Sequence, residues 1–382
     1  MIHWINKATI YHIFIDRFAG YRVDAQPEKP EFCGGNLKGV TDKISYFKDL
    51  GVNTLWISPF YKTSAYHGYH ITDFDQVDSR FGSKNNLIQL IEKCHENGLR
   101  IIADIVPNHC SDQHRWFIEA QQNKQSKYHN WFYFRSWPDD YLQFLGFSVL
   151  PKLNLENSET SAYMVNSLMD WAKLGFDGFR IDHVLGIPEA FLKQLSKEVK
   201  NLNPEFVLIG EAWGDGMKYK YLPTLRLKGR YKIWKNGFKQ TDLQKAYVGI
   251  LDGVLDFGWR DMLIESLKQN KPFSKLHFKH YNKQYPSDFI LPRFPDNHDT
   301  SRIMYDCRQD AELFRQTLKI LFAQNNFPIV LYHGTEYGLT HNHEVSPDTG
   351  FSDLQARALI PWDTTPVYFQ EIKQLILKKD IV

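Results

Sequence analysis

Gly175-Phe-Asp-Gly-Phe-Arg-Ile-Asp-His183 is a short apolar run closed by an acid, with Arg180 two residues ahead of Asp182. Three further runs close in the same manner: Ile101-Ile-Ala-Asp-Ile-Val-Pro-Asn-His109, Phe206-Val-Leu-Ile-Gly-Glu-Ala-Trp213 and Phe289-Ile-Leu-Pro-Arg-Phe-Pro-Asp-Asn-His-Asp299. In each, a stretch with the composition of a buried strand gives way to carboxylates, amides or histidines at its C-terminal end. The rest of the chain reads as the scaffold that gathers these strand ends.

Working outward, strands alternate with helices. Residues 8–16 are β-branched and aromatic, a first strand. A helix follows over 41–50, with Ile44, Phe47 and Leu50 at helical spacing and Gly51 as its stop. The next elements are a strand over 53–58, a helix over 83–97 with Leu87, Leu90, Ile91 and Cys94 on one face, and a strand over 99–106. The alternation breaks over 109–157, a long, polar, aromatic-rich segment, and connections of that length are usually functional or form a small domain. It then resumes. Helices are predicted over 161–174, 188–200, near 242–247, 259–269 and 272–281, and over 310–324 and 366–378. The strands between them cover 177–182, 206–211, 251–257, 288–294 and 327–332.

This is roughly eight strand–helix units, the pattern of parallel strands joined by right-handed crossovers. The expected fold class is α/β, a closed (β/α)8 barrel, formed by residues 1–108 and 158–382 and interrupted after the third strand by a subdomain over 109–157. An open dinucleotide-binding sheet is disfavoured, because no GxGxxG follows the first strand.

With 382 residues, 43% hydrophobic and 24% charged, the composition is that of an ordinary soluble globular protein. A net charge of +2 argues against a nucleic-acid or membrane-surface protein. No apolar stretch is long enough to span a bilayer, and the N-terminus lacks the pattern of a secretory leader. Cys33, Cys94, Cys110 and Cys307 form no CxxC pair and read as reduced thiols, which points to the cytoplasm. A basic and aromatic stretch over 218–239 could serve nucleic acid; as a loop after a strand it reads better as the border of a cleft or as solvated surface.

In a (β/α)8 barrel the C-terminal strand ends form the active face. Asp182 and Glu211 close consecutive strands, and neighbouring strands lie about 5 Å apart. Their carboxyl groups are therefore expected about 5–5.5 Å apart, as in a retaining glycosidase. Strand alternation puts Arg180 on the side of Asp182, where a guanidinium holds a carboxylate ionised. Glu211 lies between Ile209 and Trp213, apolar flanks that favour a protonated, acid role.

These residues resemble the α-amylase family of glycoside hydrolases over nearly the whole chain. Asp104-Ile-Val-Pro-Asn-His109, Gly178-Phe-Arg-Ile-Asp182, Gly210-Glu-Ala-Trp213 and Asp296-Asn-His-Asp299 look like its four shared regions, in order. Leu150-Pro-Lys-Leu-Asn154 resembles the fifth, in the form of the neopullulanase and cyclomaltodextrinase branch, and Gly68-Tyr-His-Ile-Thr-Asp73 and Arg80-Phe-Gly82 also fit. The resemblance implies a retaining hydrolase of α-1,4-linked glucans or malto-oligosaccharides. It makes Asp182 the nucleophile, Glu211 the acid and base, and Asp299 the stabiliser of the transition state. Tyr69, His109, Arg180 and His298 become binding residues around the cleaved sugar.

No cofactor is needed for such chemistry. Asn108 matches a position that binds calcium in many relatives, so a structural calcium is a candidate there, although the acid-rich loop that some relatives carry after the first strand is absent. The cyclomaltodextrinase branch's N-terminal β-domain is not expected, and the usual C-terminal β-domain is expected to be absent or vestigial. A transglycosylase would use the same residues and differ only in the acceptor. A non-catalytic binding barrel would have no chemical need to keep Asp182, Glu211 and Asp299 together. The partner is thus a glucan, with neither nucleic acid nor membrane involved.

Overall fold

The strands, in chain order, are β1 (Thr9–Ile13), β2 (Thr54–Ile57), β3 (Tyr61–Thr63), β4 (Ile71–Val77), β5 (Arg100–Ile105), β6 (Phe134–Ser136), β7 (Asp140–Tyr141), β8 (Gly178–Ile181), β9 (Val207–Gly210), β10 (Gly253–Val254) and β11 (Ile329–Tyr332). This computed structural model describes residues 3–214, 239–269, 275–324, 326–345 and 351–381. The basic stretch 218–239 therefore lies, except for Lys239, outside the described residues. Packing divides the chain into two units, one of Met1–Ser58, Arg80–Ile102 and Leu255–Val382, the other of Pro59–Ser79 and Ala103–Val254.

In the first unit β1 lies between two parallel partners. Thr9 pairs with Ile329 of β11, and Ile10 with Thr54 of β2. All five residues of β1 are buried, as the unbroken apolar run predicts for a parallel strand covered on both faces. The start of β5 joins this set, Arg100 N donating to Asn53 O at 2.9 Å. The predicted strand over 288–294 is present only as bridges: Arg293 N donates to Pro328 O, and Val330 N to Arg293 O, both at 2.8 Å. Pro292 and Pro295 have no N–H to give to a ladder, which is why regular pairing fails there.

In the second unit the end of β5 leads to β8. Asp182 N donates to Ile105 O at 2.9 Å, β8 pairs in parallel with β9 from Gly178↔Val207 onward, and β9 with β10. Gly178 is required by this packing, since a Cβ there would lie 2.3 Å from Val207 Cγ2. β10 is shorter than the predicted strand over 251–257. Asp256 instead caps the helix Phe257–Lys268, its carboxylate accepting from Trp259 N at 3.1 Å. The second unit also holds two antiparallel pairs, β3 with β4 and β6 with β7, and the helix Arg115–Gln122.

Helix starts follow their caps. Ser83 and Asn86 form a capping box ahead of Lys84–Glu96. Asn157 accepts from Glu159 and Thr160, so that helix runs Ser158–Ala172 and begins three residues before its apolar periodicity. Gly51, with φ of 93°, ends Ile44–Leu50 in the left-handed region. Among the described residues no helix is long and apolar enough to cross a membrane.

Candidate active site

The second unit brings the ends of β5, β8 and β9 onto one guanidinium. Arg180, third residue of β8, is 1% exposed. Its Nη1 donates to Asp104 Oδ1 and Oδ2 at 2.8 and 3.0 Å and to Asp182 Oδ1 at 3.0 Å; its Nη2 donates to Glu211 Oε1. Asp182 and Glu211, each only 7% exposed, thus share one cation, and each follows its strand by a single residue. Burial acts to lower the Arg180 pKa, but Asp104, Glu211, Tyr69 and Asp182 outweigh it and hold it well above its usual value.

Glu211 is met by charge and main chain rather than by the apolar wall its neighbours suggest. Beyond Arg180 it accepts the N–H of His183 at 3.1 Å through Oε2. His183 has φ of 40°, a left-handed turn that aims this N–H back at the end of β9. Three carboxylates face one guanidinium here, so when all are ionised the group is net negative. Such a field favours positive charge as it develops on a bound molecule.

Tyr69 donates its hydroxyl to Asp104 Oδ2 at 2.9 Å and stacks on His67 at 5.8 Å between ring centroids. Asp104, within the 101–109 run, is the second anchor of Arg180. Its signal in the sequence is its place inside the strand, where a carboxylate needs a buried partner. His109 is 1% exposed and stacks on Phe144 at 4.5 Å, and Phe144 in turn meets His183 at 4.7 Å. Burial, then the neighbouring His183, His70 and Lys152, pushes the His109 pKa well below its usual value. Burial, then Lys152 and Arg180, holds His183 at about 3. Both imidazoles are therefore neutral at pH 7 and offer a donor and an acceptor.

A family profile described as "Alpha amylase, catalytic domain" matches residues 12–368. The chain belongs to the α-amylase family. It is 34% identical over 366 residues to a protein named alpha-amylase 2 from Dictyoglomus thermophilum, covering 94% of this chain and 60% of that one. It is 29% identical over 386 residues to a cyclomaltodextrinase from a Bacillus species, covering 95% and 63%. The chain thus spans about 60% of the length of these relatives. Among solved structures, the ligand-free cyclic α-maltosyl-(1→6)-maltose hydrolase from Arthrobacter globiformis superposes with a TM-score of 0.80 at 24% identity, over 98% of this chain and 83% of that one. The fold is the family's (β/α)8 barrel, as the count of strand–helix units predicted.

The remaining two site residues of the family pattern lie in the first unit and form their own group. Asp299 Oδ1 accepts from Arg357 Nη2 at 2.8 Å, and Asp299 Oδ2 lies 3.1 Å from His298 Nε2. Arg357 also donates from Nε to His298 O at 2.9 Å and pairs with Asp353 at 2.7 Å. His298 packs edge-on against His12, at 5.1 Å, and His12 stacks flat on Trp56 at 3.7 Å. No motif in the sequence marks Arg357. Its one signal is the i,i+4 spacing from Asp353, which looks like any surface pair.

Asn108 does not fit a calcium ligand in this chain. Its side-chain oxygen accepts from Lys152 Nζ at 2.5 Å, so an ammonium already stands where a dication would bind that oxygen. Among the described residues no three His, Cys, Asp or Glu side chains are grouped to hold a metal.

Proposed function

We propose that this chain is a retaining α-glycosidase acting on α-1,4-linked glucans or malto-oligosaccharides. The observation that carries this reading is the shared guanidinium: Asp182 and Glu211, at the ends of adjacent parallel strands, both bind Arg180. In this reading Asp182, kept ionised by Arg180, attacks the anomeric carbon and forms a glycosyl ester. Glu211 gives its proton to the departing oxygen, then takes one from the water that cleaves the ester. Asp299 binds sugar hydroxyls and favours the oxocarbenium-like charge, while Tyr69, His109 and His298 line the cleaved sugar's site. The Bacillus relative's name supports a short or cyclic maltodextrin as substrate. Residues 109–157 act as the subdomain that walls the cleft. Four buried cysteines, none of them in a disulfide among the described residues, support a cytoplasmic setting.

A second reading, 4-α-glucan transfer, has one observation in its favour. Phe147 is 52% exposed and its ring lies 6.3 Å from Phe144, which meets His183. An exposed ring beside the nucleophile's strand offers a face for an acceptor sugar.

Product analysis with maltotriose, maltoheptaose, cyclodextrin and pullulan separates the readings. Glucose and maltose released first as α-anomers, followed by proton NMR, support retaining hydrolysis; longer oligomers support transfer. Release of β-anomers, or no change in any substrate, overturns the proposal.

A further inference from the structure

We propose that the ammonium of Lys152 is a built-in cation that takes the place of a structural metal ion, tying the end of β5 to the turn after Asp182. Lys152 is 1% exposed, an unusual location for a lysine. Nζ donates to Asn108 Oδ1, just past β5, and to the main-chain oxygen of Gly186, both at 2.5 Å. Gly186 closes the short turn Val184–Gly186 that follows the nucleophile. An amide oxygen and a peptide oxygen converging on one point are the ligand types that a hard dication takes. Here the point is held by a single positive charge delivered by the chain itself.

The backbone fixes that delivery. Lys152 N donates to Leu142 O at 2.9 Å, Leu153 N to Asn108 O at 3.0 Å, and Lys152 bridges His109 in antiparallel fashion. The junction is also closely packed, since a Cβ on Gly186 would lie 2.1 Å from Asn108 Oδ1. Calcium needs six to eight oxygens at about 2.3–2.6 Å, and a dication on Asn108 Oδ1 would meet Nζ within about 4 Å, where like charges repel strongly in a dry site. The ammonium also acts electrostatically as a metal would. After burial, it is the strongest influence against protonation of His183.

Melting temperature, in EDTA and in millimolar calcium chloride, and terbium luminescence test this without reference to activity. The wild-type protein is expected to bind no terbium through Asn108. Lys152→Met should melt roughly 4–6 °C lower in both solutions, as expected for removing one partner of a buried polar junction. Lys152→Asp supplies a third oxygen ligand, so it should melt low in EDTA, recover roughly 2–6 °C with calcium, and bind terbium. The inference is overturned by wild-type terbium binding that Asn108→Ala abolishes, by Lys152→Met melting at the wild-type temperature, or by a folded Lys152→Asp protein that ignores calcium. If Lys152→Asp fails to fold, the wild-type, Asn108→Ala and Lys152→Met measurements still decide.

Discussion

Arg180 Nη1 lies 3.0 Å from Asp182 Oδ1, and both side chains are more than nine-tenths buried on one face of the same strand end. The same guanidinium holds Asp104 and Glu211, so its loss would leave three carboxylates facing one another without a cation. Breaking such a buried set by removing one partner costs about 3–5 kcal/mol. Arg180→Met should therefore lower both stability and kcat. Arg180→Lys keeps the charge but not the fork that reaches two carboxylates at once. We expect it to fold and to lose about 10²-fold or more in kcat. Wild-type kcat in the lysine variant would show that the fork has no role in positioning.

Asp182→Asn and Glu211→Gln should separate the two carboxylates' proposed roles. If Asp182 is the nucleophile, the first should lower kcat on the order of 10⁴-fold or more on every substrate, with the melting temperature little changed. If Glu211 is the proton donor, the effect of the second should depend on the leaving group. Cleavage of maltotriose should slow greatly, while α-maltosyl fluoride, whose leaving group needs no proton, should be formed into the intermediate at close to the normal rate. Equal losses on both substrates would remove Glu211 from the acid role.

Acid should destabilise the fold through its buried histidines. Burial holds His114 and His183 at about 3, against about 6.5 in an unfolded chain. Their folded pKa is the lower one, so between about pH 6.5 and 3 the unfolded state binds more protons and stability falls as pH falls. Asp306, pushed up to about 6 by burial, works in the opposite sense over the upper part of that window. We expect melting temperature to drop on acidification below about pH 6.5, and His114→Gln to flatten the slope. An unchanged slope in that variant would assign the acid sensitivity elsewhere.

Arg357 should act through Asp299. Its Nη2 holds Oδ1 of that residue, and its Nε holds the main chain of His298. Arg357→Lys keeps a cation beside Asp353 and Asp299 but loses the main-chain bond. We expect KM for maltotriose to rise and kcat to fall by about tenfold each, since a misplaced stabilising group weakens both binding and the transition state. A change confined to melting temperature would make Arg357 a structural residue only.

Much of the barrel was legible because buried parallel strands leave unbroken apolar runs, and because the acids at their ends interrupt those runs abruptly. Asp104, Asp182 and Glu211 are visible in that way, and Ser83 marks its helix start through local capping chemistry. The strand over 288–294 is shorter than its apolar content implies, since Pro292 inside it and Pro295 just past it cannot donate to a ladder. Partnership was not legible where it depends on distant chain. Arg180 was paired with Asp182 by alternation, yet its two bonds to Asp104 cross 76 residues, and Lys152 reaches Asn108 across 44. No periodicity encodes such contacts; the pleat and the hydrogen bonds of the 109–157 segment decide them.

The partner of β1 on one side is β11, and Tyr11 gives its hydroxyl to Glu336, 325 residues along the chain. On the ribosome, at roughly 5–20 residues per second, the first strand emerges tens of seconds before that partner exists. Until then one edge of β1, five buried residues of high β-propensity, has no ladder to join. Nascent chains of this protein therefore carry an adhesive strand until β11 is made, and the yield of folded protein in a cell should depend on what shields that strand while the chain grows.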